Sequence, residues 1–173
     1  FPATYSNSYA VIDLASGDAT RVSSDPLYGP VPVLDHAWSP DSRFLAYTQN
    51  TPTYLNRLFL YSIADGRSYP VSYGLADARS PVFDASGRYL YFLVSTDAGP
   101  VDDWFSQASA DMRSVQQIYL AVLAKGVPSP LARESDEEKP AQDEAAKKGD
   151  AGEAKPVEVK LDPDGLAQRI LAL

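Results

Sequence analysis

A repeated turn-and-strand sequence constrains the fold of this chain more than any other feature. The stretch WSPDSRFLAY over 38–47 returns 45 residues later as FDASGRYLYF over 83–92. Both copies place an aromatic residue first, then a four-residue turn, then Arg and an apolar strand. Pro40 presets φ for the first central turn position, and Gly87 suits one of the remaining positions. The repeat predicts a chain built from successive strand-turn-strand units.

A second motif recurs out of phase with the first and supplies further strands. Each copy is a short strand that enters a tight turn with Gly at the same place, at Gly17, Gly66 and Gly126. These glycines fit the positive φ of a hairpin turn. Each copy is followed by a predicted return strand, at Thr20–Val22, Ser68–Val71 and Ser129–Leu131. Four short strands repeating every ~45–60 residues are typical of a propeller blade. We therefore predict an all-β fold, a partial β-propeller of about three four-stranded antiparallel blades, with a sandwich as the alternative.

The predicted organisation has five parts. They are the C-terminal half of a blade over 1–24, a complete blade over 31–73, a complete blade over 78–133 with an insert at 95–115, an acidic low-complexity linker over 134–156, and the start of the next blade over 157–173. A propeller closes with ~4–8 blades, and this chain begins at Phe1 and ends in an apolar run at Leu173. We therefore expect a fragment of a longer protein.

Two segments interrupt the repeat. The insert contains Trp104 and Phe105, which we interpret as a hydrophobic cap or as part of a substrate-facing lip. The linker holds eight acidic side chains and four lysines over 134–155, and it has no apolar periodicity. A long disordered acidic loop is predicted there, because the segment has nothing to bury.

The two repeat copies, extended to WSPDSRFLAYTQN and FDASGRYLYFLVST, resemble the propeller repeat of tricorn-type proteases and of the TolB periplasmic protein. The Asp102–Phe105 insert resembles the second propeller of tricorn-like proteases, and so does VEVKLDPDGLAQRILAL over 157–173. That resemblance implies a non-catalytic propeller segment that scaffolds or gates peptide access to a serine protease core located elsewhere. It also implies the remaining blades and the protease core as partners, peptides as the parent's substrate, a homo-oligomeric parent, and a cytoplasmic location with a periplasmic alternative.

Two other functions remain open at this point. One is a TolB-like protein-interaction propeller with no enzymatic activity, and the other is the propeller of a prolyl-oligopeptidase-type hydrolase. The sequence after Leu173 separates these possibilities. A PDZ-like region followed by a protease core is expected for a tricorn-like protease, and an early stop is expected for a TolB-like protein. A G-x-S-x-G elbow is expected for a prolyl-oligopeptidase-type hydrolase.

No catalytic, metal or cofactor residue is predicted in this chain. His36 is the single histidine, and its neighbour Asp35 cannot orient it as in a catalytic triad, because successive strand residues point to opposite faces. A structural role is expected for His36, and one His without Cys argues against a transition-metal site. We expect bonding to the turn backbone from Asp13, Asp41, Asp65 and Asp84. For Arg43 and Arg88 we expect a place along the blade or on a neighbouring turn, with a peptide carboxylate as the alternative.

The charge distribution bears on the partners. The formal net charge is −8, and residues 134–155 supply half of it. No basic stripe is present to neutralise phosphates, so nucleic acid is not expected as a partner. The sequence has no run of 18 apolar residues, so no membrane span is expected either.

Overall fold

The architecture comes from a computed structural model that describes residues 8–24, 34–53, 55–97, 115–132 and 157–173. Within these ranges ten strands form three antiparallel sheets. The strands are β1 (Ala10–Ile12), β2 (Ala19–Arg21), β3 (His36–Trp38), β4 (Phe44–Asn50), β5 (Asn56–Ser62), β6 (Arg67–Pro70), β7 (Asp77–Phe83), β8 (Tyr89–Ser95), β9 (Gln117–Val122) and β10 (Ile170–Ala172). A short 3-10 helix, Leu166–Arg169, precedes β10.

The strands follow the order of propeller blades. Sheet 1 is the β1–β2 hairpin, sheet 2 has the order β3-β4-β5-β6, and sheet 3 has the order β7-β8-β9-β10. The first strands of the two larger sheets, β3 and β7, contact each other, as the inner strands of adjacent blades do. The predicted all-β, partial β-propeller architecture is confirmed. No helix in these described ranges has the length and apolar character needed to cross a bilayer.

The repeated turn has the same geometry in both copies. Its first residue donates its N–H to the carbonyl five residues ahead, from Ser39 at 2.9 Å and from Asp84 at 3.1 Å. The left-handed position is occupied by Ser42 (φ 58°) in the first copy and by Gly87 (φ 68°) in the second. The positive φ predicted for the hairpin glycines is also found, at Gly17, Gly66 and Gly126. Local turn chemistry therefore sets the repeat.

The main core lies between sheets 2 and 3. Each sheet contributes one apolar face, because alternate strand residues point to the same side. From sheet 2 come Phe44, Ala46, Leu58 and Leu60, with Val71 directly after β6, and from sheet 3 come Ala78, Leu90, Phe92 and Ala121, with Leu123 directly after β9. Two residues from the segment before β10, Val159 and Leu166, complete this core, at 3% and 1% exposure.

Sheet 1 covers the opposite face of sheet 2. There Leu45, Tyr47 and Tyr61 are buried, with Tyr9, Val11, Val22 and Phe59 packed against them. The rings of Tyr47 and Phe59 stack at 5.5 Å between centroids, and Tyr9 lies 5.1 Å from Tyr47. Sheet 2 is therefore covered on both faces, as an internal blade requires.

The prediction that 157–173 starts a new blade is wrong at its strand. β10 pairs antiparallel with β9, so it supplies the fourth strand of sheet 3. Arg169 attaches the segment before β10 to the β9 edge of sheet 3, because its Nε donates to Val122 O at 3.0 Å. The third blade therefore extends beyond the predicted boundary at 133.

The return strand predicted at Ser129–Leu131 is also absent, because β10 takes that place beside β9. Pro128 and Pro130 lack the N–H that a ladder requires, and Pro128 O instead accepts from Tyr89 Oη at 2.8 Å. The insert predicted at 95–115, with Trp104 and Phe105, lies outside the described residues except at its ends. The linker predicted over 134–156 also lies outside them.

Candidate functional site at the blade boundary

The polar residues with the most specific geometry lie at the boundary between sheets 2 and 3. Asp77, at the start of β7, is 4% exposed and faces the start of β5. Its Oδ1 accepts from Asn56 N at 2.8 Å and from Asn56 Nδ2 at 2.7 Å, and its Oδ2 accepts from Arg79 Nε. A buried carboxylate that accepts from three donors has its hydrogen-bonding capacity satisfied. Removing one partner leaves a buried polar group unpaired, which costs the full desolvation penalty of that group. Asp77 therefore links two blades by charge-assisted hydrogen bonds.

A second aspartate crosses the boundary between the inner strands. Asp35 lies just before β3, and its Oδ2 accepts from Ser80 N of β7 at 2.8 Å. Ser80 has a positive φ of 51° where the β7–β8 register shifts between Arg79 and Val82. The bulge turns the Ser80 N–H out of its own sheet and toward the neighbouring blade. The carboxylate of Asp35 thus compensates a donor that the ladder leaves unused.

A third aspartate, Asp41, connects the first repeated turn to the segment before β10. Its Oδ2 accepts from Val159 N at 2.8 Å, and its Oδ1 accepts from Ser39 Oγ at 2.6 Å and Arg43 N at 3.2 Å. Partial burial acts to raise the pKa of Asp41, but these hydrogen bonds outweigh it and hold the pKa below its ordinary value of 3.8. The ionised form is therefore the one that joins the two segments.

The other turn acids act within their own turns. Asp13 accepts from Ala15 N at 2.7 Å and from Ser16 N at 3.2 Å, and these hydrogen bonds lower its pKa. Asp84 accepts from Arg88 N and from Tyr89 N, both at 3.0 Å. Turn-backbone bonding is thus found for Asp13, Asp41 and Asp84, whereas Asp65 accepts from the hydroxyl of Tyr69 at 3.2 Å.

The two repeat-equivalent arginines make the same backbone contact. The carbonyl of Arg43 accepts from Ile63 N and that of Arg88 accepts from Leu123 N, both at 3.0 Å. In addition, Arg43 Nη1 lies 2.9 Å from Glu158 Oε1, with both side chains more than half exposed. For Arg43 the expected contact is therefore made with a chain segment that crosses the blade boundary.

His36 lies exposed on β3, and its ring meets Tyr9 edge-on with 6.0 Å between centroids. The Asp35 carboxylate accepts from Ser80 N. Tyr9 Oη donates to Asp35 O at 2.9 Å, and burial raises the pKa of Tyr9 to about 12. The histidine thus belongs to an aromatic contact between sheets 1 and 2.

An apolar cavity of about 230 Å³ opens on the side of sheet 3 that faces sheet 2. Its walls come from Ala78, Phe92, Val94, Tyr119, Ile170 and the connection between β6 and β7. Among the described residues, no group of three or more His, Cys, Asp or Glu is placed to hold a metal ion.

Reasoning from the sequence missed the boundary contacts of Asp35 and Asp77. The one available signal was an acidic residue at a strand start in an apolar context, as in LADAR over 75–79. That signal does not identify a partner, because Asn56 lies 21 residues away on another sheet.

The comparisons with known proteins agree with the sequence and the fold. No known protein-family profile matches the chain. The tricorn protease of Thermoplasma volcanium is 30% identical over 104 residues, which cover 57% of this chain and 10% of that protein. A crystal structure of the tricorn protease matches with a TM-score of 0.62 and 17% identity, over 96% of this chain and 15% of that one. The chain thus spans a small part of each relative, and the resemblance predicted from the repeat is confirmed.

Proposed function

We propose that this chain, which is similar in sequence and fold to part of tricorn protease, is a non-catalytic propeller segment of a larger serine protease. In this role it scaffolds or gates the access of peptides to a catalytic core elsewhere in the parent protein. The remaining blades and that core are its partners, and the cytoplasm is its proposed location. The observation that carries the proposal is the partly exposed apolar outer face of sheet 3.

The internal repeat indicates what covers this face. Phe44 and Ala46 of sheet 2 are buried under sheet 3. The repeat-equivalent residues, Tyr89 and Tyr91, lie on the outer face of sheet 3, where Tyr91 is paired with Val82. Val82 is 58% exposed on this face, whereas Leu120 is buried there, so an apolar surface that is buried in one blade is partly exposed in the next. A further blade is the partner whose shape and chemistry fit it.

The polar residues support a structural role. Asp35 and Asp77 direct their carboxylates to donors of the neighbouring blade. Their hydrogen-bonding capacity is used to hold blades together, which is what a scaffold requires. In the parent, such a rigid boundary between blades keeps the path of a peptide constant in width.

The first test measures self-association of the chain, because a blade face with exposed apolar side chains is expected to pair with another copy. Ile118 is 50% exposed on the same face, so Ile118→Glu leaves the chain folded while placing a charge in any interface. We expect sedimentation to give an association at least about tenfold weaker for Ile118→Glu, because burying an unpaired carboxylate is costly. Leu14→Glu, at the 96% exposed tip of the first hairpin, is the matched control. A monomer at all concentrations with a sharp melt contradicts the proposal.

The second test concerns gating. In the parent protein, Ile118→Glu should lower kcat/KM for long peptides more than for short ones, since short peptides depend less on the propeller. Equal losses for both lengths would assign the residue a role other than gating. The isolated chain is expected to hydrolyse neither peptide class in a fluorogenic assay, and hydrolysis that survives purification would refute a non-catalytic role.

A further inference from the structure

The segment between residue 157 and β10 lies across the boundary between sheets 2 and 3. On the side of sheet 2 it contacts the first repeated turn, where Val159 N donates to Asp41 Oδ2 at 2.8 Å. Beside this bond, Glu158 pairs with Arg43 at 2.9 Å. The segment is therefore attached to the first of the two large blades by its backbone and by a side chain.

The same segment contacts the second repeated turn, on sheet 3. A Cβ placed on Gly87 would lie 2.7 Å from Val159 Cγ2 and 3.1 Å from Val157 Cγ1. The absence of a side chain at Gly87 thus makes room for Val159, which is 3% exposed within the core shared by both sheets. One buried valine therefore contacts the equivalent turns of two successive blades.

Further along, the segment is fastened to the end of β9. Asp162 N donates to Leu123 O at 3.0 Å, and Asp162 Oδ2 accepts from Lys125 N at 2.7 Å. Arg169 donates to the carbonyls of Val122 at 3.0 Å, Leu123 at 3.3 Å and Asp162. These bonds satisfy backbone acceptors at the strand end and fix the path of the chain into β10.

We propose that residues 157–169 form a clamp that holds the two blades in one relative orientation through these contacts, independently of the chain connection through 133–156. The two repeated turns and the end of β9 act as a receptor for an extended segment that carries a buried valine. The exposed Arg43–Glu158 pair adds little, because solvent screens it. The proposal concerns the blade boundary alone and holds whether or not the parent is a peptidase.

The experiment separates the contacts from the connection. A protease site is introduced within 141–148 of the full chain, the folded chain is cleaved there, and the products are separated by gel filtration and identified by mass spectrometry. We expect the piece that contains residues 157–173 to remain bound. Its immediate loss from the cleaved chain would overturn the proposal, because connection alone would then have held it.

Two variants show whether the clamp or β10 retains the piece. Val159→Ala removes buried methyl groups, and we expect the cleaved piece to dissociate at least about tenfold faster. Lys160→Ala, at an exposed position in the same segment, is the control and should change the rate by less than about threefold. Equal rates for the two variants would assign retention to β10 and refute the clamp.

A measurement on the uncleaved chain gives an independent check. The amide of Val159 should exchange at least about tenfold faster in Asp41→Ala, which removes its acceptor. Asp13→Ala is the control, since the hydrogen bonds described for Asp13 stay within the turn of the first hairpin. Unchanged Val159 exchange in Asp41→Ala would show that this amide is protected without the clamp contact, contrary to the proposal.

Discussion

Replacing Gly87 with alanine tests the close contact between the second repeated turn and the clamp. Gly87 has a φ of +68°, and its missing Cβ would lie 2.7 Å from Val159 Cγ2. Carbon atoms attract best at ~3.5–4.0 Å, so the added methyl group must displace Val159 or the turn itself. Two unfavourable effects are therefore expected together, one from the backbone and one from packing.

The magnitudes can be separated with a second glycine. The left-handed backbone costs about 1–2 kcal/mol for a non-glycine residue, and the stiffer unfolded chain offsets ~0.4–1 kcal/mol of that. Overpacking of the methyl group adds about 1–3 kcal/mol. Gly126 has a φ of +80° with nothing within 4 Å of its Cβ position, so Gly126→Ala reports the backbone effect alone. We expect a loss of about 2–4 kcal/mol for Gly87→Ala and of about 1 kcal/mol for Gly126→Ala.

Urea unfolding at low protein concentration gives both free energies of unfolding, provided that the slope with denaturant is unchanged. The double variant Gly87→Ala/Val159→Ala should recover at least about 1 kcal/mol relative to the sum of the single changes, because the truncated side chain no longer meets the new methyl group. Equal losses for Gly87→Ala and Gly126→Ala, with additive double-variant energies, would refute the proposed contact.

Three further results are expected. Asp77→Ala should lower the free energy of unfolding by about 2–5 kcal/mol, since it leaves two buried donors of Asn56 without an acceptor, whereas Asp65→Ala should change it little. Asp41→Asn should be less stable than the native chain by its full amount at pH values above the ordinary pKa of 3.8. This difference should shrink as the pH falls through the lower pKa of Asp41 in the folded state, because at low pH Asp41 is protonated in both the folded and the unfolded chain. A difference that stays constant from pH 6 to 2 contradicts this expectation. Because the pKa of Tyr9 rises from 10.0 to about 12 on folding, its neutral form favours the native state, and this contribution should be lost between those pH values and be absent in Tyr9→Phe.

The repeated turns and the strands that follow them, β4 and β8, were predictable from the sequence because their determinants are local. Pro40 and Gly87 report backbone conformations that neighbouring residues do not alter, and the same turn closes at both places. The fourth strand of sheet 3 was not predictable in this way. Its place depends on Arg169 meeting the carbonyls of Val122 and Leu123, which lie 47 and 46 residues away.

The boundary aspartates escaped prediction for a related reason. Asp35 and Asp41 both precede or occupy turn-like sequence, where an acidic residue ordinarily bonds to its own backbone. In the structure Asp41 accepts from Val159 N as well as from its own turn, and Asp35 accepts from Ser80 N, so both have a donor far along the chain. The sequence around an acidic turn residue is the same whether or not another blade supplies a donor to its carboxylate.

The sequence position of β10 has a consequence for synthesis. β9 ends at Val122 and its outer partner begins at Ile170, so 47 residues must be translated between them. At a translation rate of ~5–20 residues per second, the outer edge of β9 stays without its partner strand for about 2–9 s during synthesis. A nascent chain that reaches residue 132 has three strands of this sheet and an open template for another chain. The synthesis of β10, rather than the order of the blades, therefore determines when the β9 edge can no longer pair with another chain.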